Sequence, residues 1–234
     1  MKIVVLTLFD DFVRSYYDFS IIRNALDKKA VELEVINFRQ YANDKHKTVD
    51  DTIYGGSAGM LLKLEPLVNC LRDIKQNQFK DSNKIRTYLL SPQGEVYDQN
   101  KAVALSQSDH DLILIAGRYE GFDERIYHYV DGALSVGDFV ITGGELAALI
   151  VVDSIVRLLP NVINKDSLSS ESFNNYLLDY PMYTKPYDFE GYKVPDVLLS
   201  GNHQAIAAFN QQEAINNTKM KRPDLYLKYK SNIK

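Results

Sequence analysis

The chain has no tryptophan, and Cys70 is its single cysteine among 234 residues. A lone cysteine excludes an internal disulfide and suits a reducing compartment. Only four histidines occur, His46, His110, His128 and His203. They stand far apart, outside any HxxxH or CxxC company, which argues against a structural zinc or a histidine-rich catalytic metal. Neither GxGxxG nor GxxxxGK is present, so neither a dinucleotide fingerprint nor an ATP phosphate loop accounts for the glycines. No apolar run approaches the roughly 20 residues of a membrane span. Ile3–Phe9 could pass for a short signal core, but it meets Asp10 and Asp11 without a small-residue cleavage site and reads better as a first strand. The expectation is a cytoplasmic protein with neither a metal nor a membrane partner.

Net charge is only −4, so the whole molecule does not advertise a polyanionic partner. The last sixteen residues differ: Lys219, Lys221, Arg222, Lys228, Lys230 and Lys234 face only Asp224. Such a tail is either a solvated basic end or a contact for phosphates. Apolar content of 45% is ordinary for a globular enzyme.

Segments at Lys2–Leu8, Val31–Asn37, Lys84–Leu90 and Leu112–Ala116 have strand character. Between them, Phe12, Tyr16, Phe19, Ile22 and Leu26 repeat at helical spacing, as do Leu61, Leu64, Val68, Leu71 and Ile74. Cys70 falls among these leucines as a small core residue. Alternation of strands and helices predicts an α/β domain with a mostly parallel sheet. Phe122–Val130 suggests a short helix. Glu145–Leu159 is apolar nearly all round, the pattern of a helix buried against a sheet or a second subunit. Asn161–Asn175 is rich in Asn, Ser and Asp and reads as a flexible linker. Helices are expected near His203–Asn217 and Pro223–Lys230. The expected organisation is an α/β domain over 1–160, a linker over 161–175 and a small, mainly helical domain over 176–234.

Two glycine-bearing segments carry the most information: GRYEGFDER (Gly117–Arg125), after the strand-like LILIA, and SVGDFVITGGE (Ser135–Glu145), running into the apolar helix. Glycines at strand ends let the backbone approach a ligand with no Cβ in the way. A pocket lined by main chain follows. GGSAG (Gly55–Gly59) matches the nucleophile motif G-x-S-x-G literally, but the preceding KTVDDTIY is no buried strand and no HGGG-like loop occurs. It reads as a flexible loop opening a helix at Met60. Arg157 ends the apolar helix and could be a dipole-complementing cap. Asp153, four residues earlier, could orient it. Glu171 lies on the polar linker.

Together these segments resemble the bacterial tRNA (guanine-N1)-methyltransferases of the TrmD type, nearly end to end. The resemblance rests on HKTVDDTIYGGSAGM (His46–Met60), LSPQG (Leu90–Gly94), GRYEGFDER, SVGDFVITGGE, DSIVRLLP (Asp153–Pro160), LLDYPMYTKP (Leu177–Pro186), LLSGNH (Leu198–His203) and KRPDL (Lys221–Leu225). It implies a SPOUT-class α/β fold with a C-terminal trefoil knot in the sheet domain, and an obligate homodimer with active sites at the subunit interface.

It also implies S-adenosyl-L-methionine as methyl donor, bound by Leu90, Ser91, Pro92, Gly117, Tyr119, Glu120, Val136, Gly137, Asp138, Phe139, Val140, Ile141, Gly143 and Gly144. The substrate would be the guanosine at position 37, in the anticodon loop of tRNA. Glu171 would be the general base and Arg157 would support charge on guanine O6; Lys219, Lys221 and Arg222 would be tRNA contacts. The chain departs from the family pattern in four places. Glu171 stands for an aspartate, Ser57–Ala58 for Gly-Pro, Phe139 for tyrosine, and Phe209–Asn210 for Trp-Arg. The change at 171 keeps a second reading open: an RNA-binding protein with the fold but without the rate.

Overall fold

Strands that alternate apolar residues toward two different layers make a sheet buried on both faces, and such strands read as continuous hydrophobic runs. The first strand, β1 (Lys2–Thr7), behaves this way. Ile3 and Val5 enter one core cluster, and Val4 and Leu6 enter the other. The strand after the second half of the sheet does the same: Leu112 and Leu114 face one layer, Ile113 and Ile115 the opposite one. The computed structural model of the protein describes residues 1–164, 167–168 and 171–232. Lys165, Asp166, Ser169 and Ser170 of the expected linker, and Lys234 of the basic tail, lie outside the described residues. The chain divides into two compact units, Met1–Ile163 and Asn164–Lys234.

In the first unit, β1 is followed by α1 (Asp10–Tyr17), α2 (Ser20–Asp27), β2 (Glu32–Asn37), a hairpin of β3 (Asp50–Thr52) and β4 (Met60–Leu62), then α3 (Leu64–Asn77). Next come β5 (Ile85–Val96), α4 (Gln99–Gln107), β6 (Asp111–Ala116), β7 (Gly132–Ser135) and α5 (Glu145–Val156). Five strands pair in the order β2-β1-β6-β5-β7, all parallel. One sheet face packs on α1, α2, α4 and α5, the other on α3 and its neighbours. The α/β fold with a central parallel sheet thus stands as the sequence suggests.

Several local readings change. The repeat from Phe12 to Leu26 forms two helices, because Ser20 takes φ +52°, which a right-handed helix cannot accommodate. The break leaves Phe12, Tyr16 and Phe19 exposed, while Val13, Tyr17, Ile22 and Ala25 fill the core. Met60 opens no helix; it lies in β4, paired with Thr52, and α3 starts at Leu64. Phe122–Val130 holds a 3-10 turn at Glu124–His128. Strand β5 continues past Leu90. Its pairing to Leu134 is interrupted by a bulge and resumes at Glu95, so Ser91–Gly94 arch out of the ladder.

The second unit holds a two-residue hairpin, β8 (Asp188–Phe189) with β9 (Tyr192–Lys193), and helices α6 (His203–Lys221) and α7 (Pro223–Asn232). Asn202 caps α6 by accepting from the Ala205 N–H. The linker expected over 161–175 leads into a segment with side-chain hydrogen bonds of its own. The Leu178 N–H donates to Thr218 Oγ1 at 2.8 Å, Asn217 Nδ2 to the Asp179 carbonyl at 3.1 Å, and the Asp179 N–H to Ser172 Oγ at 3.0 Å. Short polar side chains can satisfy the backbone locally, so a polar stretch need not be a free one.

Candidate active site

In open parallel sheets, ligands gather beyond the carboxyl ends of the strands. Here three irregular segments lie at that edge: the arch Ser91–Gly94 within β5, the turn Gly117–Phe122 after β6 and the long loop Val136–Gly144 after β7. These segments enclose a cavity of about 240 Å3. Its wall includes Leu90, Ser91, Pro92, Gly117, Tyr119, Glu120, Val136, Gly137, Phe139, Val140, Ile141, Gly143 and Gly144. Of the donor-binding residues expected from sequence, Asp138 is the one that does not line it; it sits exposed in the same loop.

Glycine is required where the loops meet. The Gly144 N–H donates to the Gly117 carbonyl at 2.7 Å, and a Cβ on Gly144 would come within 2.5 Å of the Gly117 nitrogen. Gly137 takes φ +143°, where side chains are strained. The result is a recess with Gly117, Gly121, Gly137, Gly143 and Gly144 in its wall beside larger side chains such as Leu90, Arg118, Tyr119 and Phe139. Peptide N–H and C=O groups can read an adenine edge, and the apolar Leu90, Leu134, Val136 and Ile141 can flank a planar ring. The residues therefore fit an adenosine-bearing cofactor.

Several lining residues escaped the sequence reading: Arg118, Thr142, Leu134, Ser135, Phe122 and Ala147. With them comes Glu145, the first residue of α5, only 1% exposed. Thr7 Oγ1 donates to Glu145 Oε1 at 2.8 Å. Arg118 Nε lies 2.9 Å from Glu145 Oε2 as an ion pair, without the alignment of a hydrogen bond. The signal available in the sequence was a charged residue directly after GG and ahead of a wholly apolar helix.

The turn Glu120–Asp123 is not a free rim. The Glu120 N–H donates to the Met60 carbonyl at 2.9 Å and the Leu62 N–H to the Gly121 carbonyl at 3.0 Å. A Cβ on Gly59, whose φ is +94°, would meet Glu120 Cγ at 2.5 Å. Beyond this wall lies a second cavity of about 650 Å3, lined in part by Asp51, Tyr54, Lys63, Arg72, Asp123 and Arg125. Lys63 pairs with Asp51 at 3.5 Å, and Arg125 with Asp123 at 2.5 Å. The Arg125 guanidinium holds the Asp123 carboxyl below its ordinary range. Ser57 sits exposed in the loop before Gly59, not at the end of a sheet strand, so it lacks a nucleophile's setting.

Arg157 follows α5 directly, its N–H donating to the Asp153 and Ile155 carbonyls. Asp153 accepts from the Tyr16 hydroxyl at 2.9 Å. Glu171 belongs to the second unit, next to a run of left-handed backbone at Phe173, Asn175 and Tyr176. Such positions cost on the order of 1–3 kcal/mol each and concentrate at functional sites. Lys219 and Lys221 are exposed in the last turn of α6, and Arg222 pairs with Asp224 at 2.6 Å. Among the described residues, no cluster of His, Cys, Asp and Glu could hold a metal ion, and no helix is long and apolar enough to cross a membrane.

Comparison with known proteins agrees with this architecture. A family model described as tRNA (Guanine-1)-methyltransferase TrmD matches residues 1–228. A protein of Mycoplasmoides gallisepticum is 99% identical over the full length of both chains. One from Malacoplasma penetrans is 51% identical across 98% of each chain, and one from Mycoplasma genitalium 53% identical across 99% of this chain and 97% of its own. All three carry the name tRNA (guanine-N(1)-)-methyltransferase. With its glycine-bearing cavity at the sheet's carboxyl edge and this match over almost its entire length, the chain belongs to the TrmD family of tRNA (guanine-1)-methyltransferases.

Proposed function

We propose that the protein is a cytoplasmic enzyme that methylates N1 of the guanosine at position 37 of tRNA, beside the anticodon, using S-adenosyl-L-methionine. The observation that carries this reading is the cavity at the ends of β5, β6 and β7, where close-packed glycines leave peptide groups to face a ligand. When bound, S-adenosylmethionine supplies a methyl group already activated by its sulfonium, so the transfer itself needs neither a metal nor a covalent enzyme intermediate.

Guanine N1 carries a proton and is a poor nucleophile until that proton leaves. The Glu171 carboxylate accepts it, and the negative charge that spreads onto O6 is offset by the Arg157 guanidinium. General base action typically contributes about 10²–10⁴-fold. An anticodon-loop base is unpaired, so extruding it costs less than flipping a base from a duplex. Lys219, Lys221 and Arg222 contribute phosphate contacts that position the RNA without reading its sequence.

The active form is a homodimer whose second copy covers α1 and α5. Leu146, Ile150 and Asp153 stand one turn apart on α5, Phe12 and Tyr16 one turn apart on α1. The bond from Tyr16 to Asp153 sets the two stripes side by side, and the apolar members are about half exposed. A stripe of this kind is characteristic of a protein interface. The loops form a trefoil knot, a reading supported by two tight passages. Gly94 would place a Cβ 2.4 Å from the Ala133 backbone, and Gly144 packs on Gly117.

The test is the product. Unmodified tRNA incubated with enzyme and donor should yield 1-methylguanosine at position 37 by nucleoside mass spectrometry, and tRNA with adenosine at that position should yield none. Normal tRNA affinity with no methylated product would favour the silent RNA-binding reading left open by Glu171.

A further inference from the structure

One side-chain network beside the cavity has no part in the chemistry above. Glu145 is buried at the first turn of α5, a favourable place for an anion because the helix N-terminus is electropositive. One carboxylate oxygen accepts from Thr7 at the end of β1; the other lies 2.9 Å from Arg118. Arg118 in turn donates from Nη1 to the Thr142 carbonyl at 3.1 Å, and its guanidinium stands 4.2 Å from the Phe9 ring centre. A Cβ on Gly143 would come within 2.4 Å of Arg118 Nε and 2.7 Å of Glu145 Oε2. The cavity loop therefore rests directly on this ion pair.

We propose that Glu145 and Arg118 are positioning residues that hold the loop Val136–Gly144 in its ligand-receiving shape. This inference rests on the reading of the cavity as the S-adenosylmethionine site. A loop with several exposed residues, Asp138, Phe139, Val140 and Thr142 among them, has few apolar contacts of its own to fix it. The ion pair supplies that fixation. Its carboxylate is anchored to β1, its guanidinium grips the loop through the Thr142 carbonyl, and the Phe9 ring covers the outer face. Arginine suits the task because its planar fork engages a carboxylate and a carbonyl together, which a lysine ammonium does with less directional control. Arg118 is also part of the cavity wall, and amide exchange in the ligand-free protein reads its support of the loop separately from any contact with a ligand.

The test compares wild type with Arg118→Lys, Arg118→Met and Glu145→Gln. Calorimetry with S-adenosylhomocysteine measures binding, and amide hydrogen exchange of residues 136–144 is followed in the ligand-free protein. Binding in the folded variants should weaken by about tenfold or more, the scale of a missing charged hydrogen bond. Exchange in the loop should accelerate, KM for the donor should rise with kcat little changed, and Arg118→Lys should recover part of what Arg118→Met loses. Equal S-adenosylhomocysteine affinity and equal loop exchange in folded Arg118→Lys and Glu145→Gln would overturn the proposal while the site reading stands. If wild type itself does not bind S-adenosylhomocysteine, the site reading falls and the proposal with it. Should Arg118→Met fail to fold, the milder two substitutions decide.

Discussion

Gly144 and Gly117 meet backbone to backbone: the amide of one donates to the carbonyl of the other at 2.7 Å, with no room between them for a methyl group. This single contact joins the turn after β6 to the residue that opens α5. Gly144 has ordinary helical φ and ψ, so substitution there is opposed by crowding and not by backbone preference. Gly144→Ala should destabilise the protein by roughly 1–3 kcal/mol, the usual cost of overpacking. Donor binding should suffer more severely than stability, because the displaced atoms line the cavity. Thermal unfolding and calorimetry on the same preparation separate the two effects.

For the chemistry, Glu171→Gln should lower the single-turnover methylation rate by about 10²–10⁴-fold, the range of a missing general base, with tRNA and donor affinities nearly kept. Arg157→Ala should act on the same step, since its proposed role is confined to charge that develops on O6. A Glu171→Gln variant with undiminished turnover would remove the assigned base.

Phosphate contacts reveal themselves through salt. Replacing Lys219 and Lys221 together by alanine should weaken binding of all tRNAs alike. It should also flatten the plot of log affinity against log salt, by about 0.7 for each single-stranded phosphate that is no longer neutralised. The two lysines stand two residues apart on α6 and face different directions. The two single substitutions, compared with the double one, would therefore identify which side of the helix meets RNA.

The exposed stripe on α1 and α5 can be tested without substrate. Ile150 is about half exposed, so Ile150→Glu should leave the fold of a single chain intact. Buried in a dimer, the same glutamate would be an unpaired charge, which is strongly unfavourable. Sedimentation should show the parent as a dimer and the variant as a monomer at the same concentration.

Burial pushes the Cys70 thiol up to about 12, because the core around it disfavours the thiolate. Native protein at pH 8 should therefore resist iodoacetamide, and urea-unfolded protein should take up one equivalent by intact mass. The same shift has a stability consequence. Above its ordinary value of 9.0 the unfolded chain releases the thiol proton while the native chain holds it. Stability from this group is thus full below about pH 9 and declines as pH rises toward 12.

The sheet was legible because β1 and β6 carry apolar runs, and β2 and the first half of β5 interleave apolar residues with polar ones at strand spacing. Strand β7 was missed: Gly132–Ser135 has only four residues, and its identity comes from pairing with β5. Helix α4 was missed for a related reason, since only Ala102 and Leu105 of its nine residues turn inward. The stripe Phe12, Tyr16 and Phe19 has the period of a core face yet lies on the surface; periodicity reports that a face is apolar, not what covers it. Glycine motifs located the cavity, whereas Arg118 and Glu145 stayed hidden because charged side chains in a sequence carry no mark of burial. The ties at Leu178 and Asp179 left no mark in the sequence because their partners, Thr218 and Asn217, lie some forty residues further along.

The brace between Met60–Leu62 and the turn Glu120–Asp123 gives the GGSAG motif a purpose unrelated to its serine. Because the Glu120 side chain lies where a Cβ on residue 59 would stand, the short hairpin behaves as a buttress for the rim of the recess. A bulkier residue at 59 would deform that rim from outside, altering occupancy at a place it never touches. Drift at Ser57 and Ala58, one step removed from the pressure point, leaves the buttress standing, which explains how this chain can replace the family's Gly-Pro there and keep the recess beneath it.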